Sequence, residues 1–394
     1  MLSKGQSYFF YWVYPTNLCN LSFCIPYKYD EKSESLQLLG SRSNRVYKVT
    51  LLSNVAYLFL MCAHLLLNRD KITLQNMLVG AVIIFAYFTA GVCRLTFFLW
   101  EDDGLCLLNG FLQFETNLLG NVDNLCDKIR NGVTYAKVVF VLANASCMSM
   151  GILVGVQLYF APCTPPYLGS MRSACLNQES PGPIDFLGMI GILIDAGMYF
   201  HAAPPAGLIL ASYLLCMGIS LQEYLSVMSG KLMLHNDVFS TQGQSETRAI
   251  TSLRKYNACR LLVAQMNIMF RNVFIPGLYC VASNGIVFAL YVIIRLHEEI
   301  SLAGLSFFIM MLMDFLLTVG VDLASVGRVY SVSVEVTETW RKMENLGRKS
   351  EARKIAKSFP PLKIRFGDNF VDHLTSLSVL DYCLNWTVSL LLMT

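Results

Sequence analysis

Ser378, Asp381, Asn385 and Ser389 recur at steps of three, four and four near the end of a 394-residue chain. On a helix that spacing is one polar stripe, set here among apolar neighbours of the kind that cross a membrane. A single Asp at mid-bilayer costs roughly 2.5–3.5 kcal/mol on insertion scales. Two arrangements remove most of that cost. The stripe can line a water-filled axis, where carboxylates favour cations and reject anions. It can instead hydrogen-bond to a neighbouring helix, for instance from Asp381 to a polar residue of the sixth span. In the first arrangement Leu384, Val388 and Leu392 are the candidates for a hydrophobic constriction that gates by dewetting.

A second group of residues suits ligand binding. Tyr87, Phe88, Gln157, Tyr159, Tyr199 and Tyr213 fall in the outer halves of predicted spans two to four, and Asn284, Phe288, Tyr291, Phe307 and Phe308 in those of spans five and six. Aromatic walls with few polar groups are what a small organic molecule needs. The same residue types also pack helices and form interfacial belts, so each position carries both readings. The five histidines show no HExxH spacing, and there is no P-loop or GxSxG. No enzyme, metal site or cofactor is expected. Of the 13 cysteines, Cys163 and Cys175 share the one long outer loop and form the candidate disulfide.

The elements that must position these residues follow from composition. The chain is 55% hydrophobic and only 14% charged, against about 25% charged in soluble domains. A helix needs ~20 apolar residues to cross ~30 Å of hydrocarbon, and seven runs qualify: roughly 46–67, 77–100, 138–160, 204–229, 272–295, 302–327 and 373–394. A shorter run, 186–200, is separated from the fourth by Pro204-Pro205, which break or kink helices. It reads as an outer extension of that span or an eighth crossing. The expected class is an all-α, polytopic membrane protein with seven transmembrane helices.

Charge orients the bundle. With the N-terminus in the cytoplasm, the outer segments hold only Arg69, Lys71, Arg172 and Arg295, while nearly all other Lys and Arg lie inside, as the positive-inside rule requires. An eighth crossing would put the last two basic loops outside, so seven spans are expected, with an extracellular C-terminus. The net charge of +3 is too small to imply a nucleic-acid partner. Residues 1–45 form a cytoplasmic N-terminal segment, 46–327 carry spans one to six with the ligand pocket, 328–372 an anchor region, and 373–394 the last span. Apolar positions near helical spacing in 105–119 and 250–266, and the basic stretch 337–358, predict amphipathic helices that pack as a cytoplasmic base or lie on anionic lipid.

Three segments carry a family likeness. Leu107-Leu108-Asn109 through Phe114-Glu115, Leu253-Arg254-Lys255-Tyr256 to Asn267, and above all Tyr330-Ser331, Trp340 and Lys363-Ile364-Arg365-Phe366-Gly367-Asp368-Asn369-Phe370-Val371-Asp372 followed by Thr375 resemble arthropod gustatory receptors of the insect chemosensory family. The likeness spans essentially the whole chain. It departs from the family in the last span, where Asp381-Tyr382 stands for Thr-Tyr and Val388-Ser389 for Gln-Phe. The resemblance implies a ligand-gated, non-selective cation channel in the plasma membrane, a homo- or heterotetramer whose last helices line a shared pore. Its implied partners are a small tastant or odorant, permeant cations and membrane lipid. Four copies of Asp381 would then form an acidic ring. A G-protein-coupled receptor shares the number seven but has the opposite orientation, and a secondary transporter would show an internal repeat.

Overall fold

The computed structural model describes residues 9–116, 126–172, 175, 186–207, 213–228, 242–298, 300, 302–342 and 351–393. Among these, seven helices are long and apolar enough to cross a membrane, so the chain is a multi-pass, predominantly helical membrane protein. The first three are α2 (Ser41–Leu67), α3 (Leu74–Leu99) and α5 (Cys126–Phe160), with α4 (Glu101–Phe114) between the last two and a short α1 (Phe9–Leu21) before them. The fourth is α6 (Phe186–Gly207), followed by α7 (Cys216–Met228).

The fifth and sixth crossings are much longer than a bilayer. Helix α8 (Gln242–Met269) passes through a π-helical turn into α9 (Ile275–Arg295), and α10 (Leu302–Leu317) passes through another into α11 (Ala324–Lys342). The stretch Ile250–Arg295 alone is 46 residues, about 69 Å at 1.5 Å per residue, more than twice the hydrocarbon thickness. The surplus builds a packed base at one end of the bundle, where α4 lies on α8 and α7 lies on α11. Tyr256, Trp340 and Phe359 interlock there, with ring centroids 5.3 Å apart in both Tyr256 pairs. A short α12 (Glu351–Ser358) joins the base, and α13 (Thr375–Met393) is the seventh crossing.

Two expectations move. The crossing part of the fourth span is Phe186–Ala203, neither an outer extension nor an eighth span, and the helix runs on through positions 204 and 205. Residues 216–228, the distal half of the predicted 204–229 span, belong to the base, with Leu221, Tyr224 and Leu225 fully buried. Their apolarity reflects protein contact rather than lipid contact. The predicted 337–358 helix is also divided: 337–342 end α11, 351–358 form α12, and 343–350 lie outside the described residues.

Two small antiparallel hairpins complete the fold. Strands β1 (Tyr27–Asp30) and β2 (Ser35–Leu38) pair Tyr27 with Leu38 and Asp30 with Ser35. Asn109 of α4 binds both the N–H and the C=O of Leu36, at 2.8 and 2.9 Å, so its amide satisfies backbone groups that the strand edge would otherwise leave open. This is the structural use of the Leu107-Leu108-Asn109 segment. Glu115, at the end of that segment, accepts from the buried Tyr224 hydroxyl. Strands β3 (Arg365–Phe366) and β4 (Asn369–Phe370) form the second hairpin, just before α13.

Candidate functional site

Helix α13 is held from below by the segment that precedes it. Gly367 turns the β3–β4 hairpin with φ +53°, a conformation glycine adopts without steric cost. The hairpin is pinned to the end of α8 and the turn after it: Asn267 binds Lys363 O at 2.9 Å and Arg365 N at 2.7 Å, and Arg271 reaches Asp368 at 3.0 Å. Lys363 lies over the rings of Phe370 and Tyr330, at 4.5 and 5.7 Å. Asp372 and Thr375 then cap α13 reciprocally. The carboxylate accepts Thr375 N at 2.8 Å and the Thr375 hydroxyl accepts Asp372 N at 3.0 Å, a capping box with threonine in the third position. The hydrogen bond from the Thr375 side chain is the leading reason the Asp372 carboxyl is held below the usual range.

The orientation of α13 is the main geometric fact of the site. Ser376, Val379, Cys383 and Thr387 are buried, and the Cys383 thiol donates to Ser283 O of α9 at 3.5 Å. Ser378, Asp381, Asn385 and Ser389 follow the same spacing two residues away, about 200° around the helix; the first three are exposed on the single chain and Ser389 is half-buried. Val388 and Leu392 share that side, 54% and 82% exposed. The polar stripe therefore points away from its own bundle. Asp381 accepts from Asn385 at 3.3 Å, a neighbour on the same helix rather than a residue of the sixth span.

A cavity of about 80 Å³ lies between α3, α5, α6, α9 and α10. Tyr87, Tyr199, Met150, Met311, Phe315 and Asp314 are among its lining residues. Of the residues singled out in the sequence, the structure brings Tyr87 and Tyr199 to its wall, with ring centroids 5.1 Å apart. Phe307 packs on Tyr199 at 5.9 Å, and Phe308 on Phe307. Gln157 and Tyr291 are buried in the bundle, and Phe288 stacks on Phe85 at 5.6 Å.

Four others point elsewhere. Phe88 and Tyr159 lie on the outer face of the bundle, 46% and 56% exposed. Asn284 is half-buried and binds Cys280 O of its own helix at 2.7 Å. Tyr213 sits toward the base, bonded to Thr16 of α1 at 3.1 Å and packed edge-on against Phe97. Asp314, Met311, Phe315 and Met150 were not singled out as ligand contacts. Asp314 was legible as a polar residue in an apolar span, but charge alone does not tell a cavity wall from a helix contact.

Above the cavity, Asp195 organises the long loop. Its carboxylate accepts from the Tyr57 hydroxyl and from Leu168 N at 3.1 Å, while Tyr87 donates to its backbone carbonyl at 3.3 Å. Ser170 and His64 meet at 3.0 Å. Tyr167 is fully buried, so the described part of the loop around it folds into the bundle instead of lying over it. Cys163 and Cys175 are bonded, with Cα atoms 5.3 Å apart. Arg94 binds Thr50 Oγ1 at 2.9 Å and His201 Nδ1 at 3.1 Å, beside the Tyr47 ring.

No family model and no curated protein matches the chain. Solved structures do. The insect olfactory receptor OR5 from Machilis hrabei, in complex with eugenol, superposes with a TM-score of 0.68 at 14% identity, over 99% of this chain and 100% of the receptor. A second structure of that receptor gives 0.58 at 12% identity, over 97% of each. At these identities the likeness is one of architecture: along its whole length the chain adopts the fold of an insect olfactory receptor.

Proposed function

We propose that the chain is a chemosensory receptor of the insect type, gustatory in kind, that acts as a ligand-gated non-selective cation channel. Four subunits, identical or related, surround one axis in the plasma membrane, and α13 of each lines the pore. The single observation that carries this reading is the outward polar face of α13. A stripe of Ser378, Asp381, Asn385 and Ser389 turned away from its own bundle is costly against lipid and is satisfied at a shared aqueous axis. Asp381 there selects cations by charge, while Val388 and Leu392 close the path when dewetted.

In the same reading the termini lie as the basic loops direct, the N-terminus in the cytoplasm and the C-terminus outside. Residues 328–372 anchor the pore helix, and the cavity beside Tyr87 and Tyr199 takes a small organic tastant. The Machilis receptor's binding of eugenol supports a small-molecule ligand in this fold.

The test is electrical. The chain is expressed in cells with low background conductance, and cation current is recorded for the wild type and for Asp381→Ala at equal surface expression. The wild type carries a cation-selective current, and Asp381→Ala lowers cation over anion permeability severalfold. An unchanged permeability ratio contradicts the assignment of Asp381 to the pore.

A further inference from the structure

Asp314 is the charged-type side chain in the cavity wall, and its surroundings specify what the cavity should hold. Its Oδ2 accepts from the Ser146 hydroxyl at 2.8 Å. Its other oxygen has no hydrogen-bond partner among the described residues, and no Lys, Arg or His lines the cavity. A carboxylate within the membrane-spanning part of a bundle is expensive unless a cation or hydrogen-bond donor meets it. Here the chain supplies one hydroxyl and leaves the rest of that demand open toward a space also walled by Tyr87, Tyr199 and Phe315. Aromatic faces attract cations through their quadrupole, most strongly where water is excluded. Met150 and Met311 complete the wall, and their unbranched side chains can shift to admit a ring larger than a cavity of about 80 Å³ holds at rest.

We propose that the ligand of this cavity carries a protonated amine on a compact apolar or aromatic body, with the ammonium held by Asp314 and the body against the Tyr87 and Tyr199 rings. The inference rests on the reading of the cavity as the ligand site and adds the chemical class of the ligand. An amine of this kind supplies the donor that Ser146 alone does not, and a neutral isostere of equal size does not supply the charge. Selectivity for the amine then arises from a group left under-satisfied when the neutral compound binds, the strongest kind of discrimination a small pocket achieves.

The probes are benzylamine and benzyl alcohol, which match in ring and heavy-atom count and differ in charge. Their affinities are measured on the full chain in detergent by the rise in unfolding temperature with ligand concentration. The wild type is expected to bind benzylamine at least tenfold more tightly than benzyl alcohol. Asp314→Asn should remove that preference and leave benzyl alcohol binding in place, and Asp314→Glu should restore it in part. If Asp314→Asn fails to fold, Tyr199→Leu replaces it, with a loss of about threefold or more for benzylamine expected from the ring's cation attraction. Equal or tighter binding of benzyl alcohol, abolished by Met150→Trp, overturns the amine inference while keeping the cavity as a ligand site. A chain that responds to neither probe overturns both the inference and the ligand assignment of the cavity. Asp314→Asn with undiminished benzylamine preference overturns the inference alone.

Discussion

At the scale of single residues, the two most informative side chains are a charge that faces outward and a charge that faces inward. Asp381 lies on the exposed face of α13, and among the described residues its hydrogen bond runs to Asn385 of the same helix. Replacing it by alanine should therefore leave the subunit's own stability within about 0.5 kcal/mol, as for surface positions generally, while changing conduction. Thermal unfolding of the purified variant beside its current–voltage relation separates the two. Arg94 is the opposite case, 1% exposed and bonded to Thr50 and His201. Arg94→Ala opens a cavity and strands buried polar partners, and should cost roughly 2–5 kcal/mol, read as a fall in unfolding temperature and in folded yield. The polar stripe was legible because its period is that of a helix. The partners of Arg94 were not: an arginine inside an apolar run does not tell which neighbouring helix it faces, and Thr50 and His201 come from two different ones.

At the scale of elements, the base and α13 meet at a tight point. A Cβ on Gly327 of α11 would fall inside the van der Waals envelope of the Asp372 carbonyl, and Asp372 caps α13. Backbone gives way poorly, so Gly327→Ala should cost about 1–3 kcal/mol and disturb conduction with it, measurable as a lower unfolding temperature and reduced current at equal surface expression. The cap itself is pH-sensitive. Its carboxyl is held low when folded, so its contribution is complete above the unfolded value of about 3.9 and is lost as pH falls through the folded one. Asp372→Asn should thus flatten the fall of stability as pH drops through and below about 3.9, while leaving the neutral range unchanged in slope, checked by unfolding scans of both forms across pH. Hydropathy found all seven crossings, but placed the fourth too late. Residues 216–228 are as apolar as a span because they are buried in protein, and periodicity alone does not tell lipid from a packed neighbour. The N-terminal hairpin escaped because each strand is four residues long, though the buried–exposed alternation of Tyr27-Lys28-Tyr29 was present in the sequence.

At the scale of the whole molecule, the fold divides labour between a bundle that holds a small aromatic cavity, a base that fixes the last helix, and the helix itself. Only 22% of the apolar stretch of α13 is buried within its own chain, so most of that helix faces away from its own bundle. Tags at the two termini test the orientation that the basic loops direct. A C-terminal tag should stain on intact cells and an N-terminal tag only after permeabilisation, and the reverse pattern would favour a coupled receptor. The central claim, that the polar face of α13 borders a shared aqueous path, is tested most directly by cysteine substitution along that helix. Cysteines at Ser378, Asp381, Asn385 and Ser389 should react with a charged, membrane-impermeant thiol reagent and block the current, while the buried Val379 and Thr387 positions stay inert. Reaction confined to other faces, or modification of the four positions with current unchanged, would contradict it.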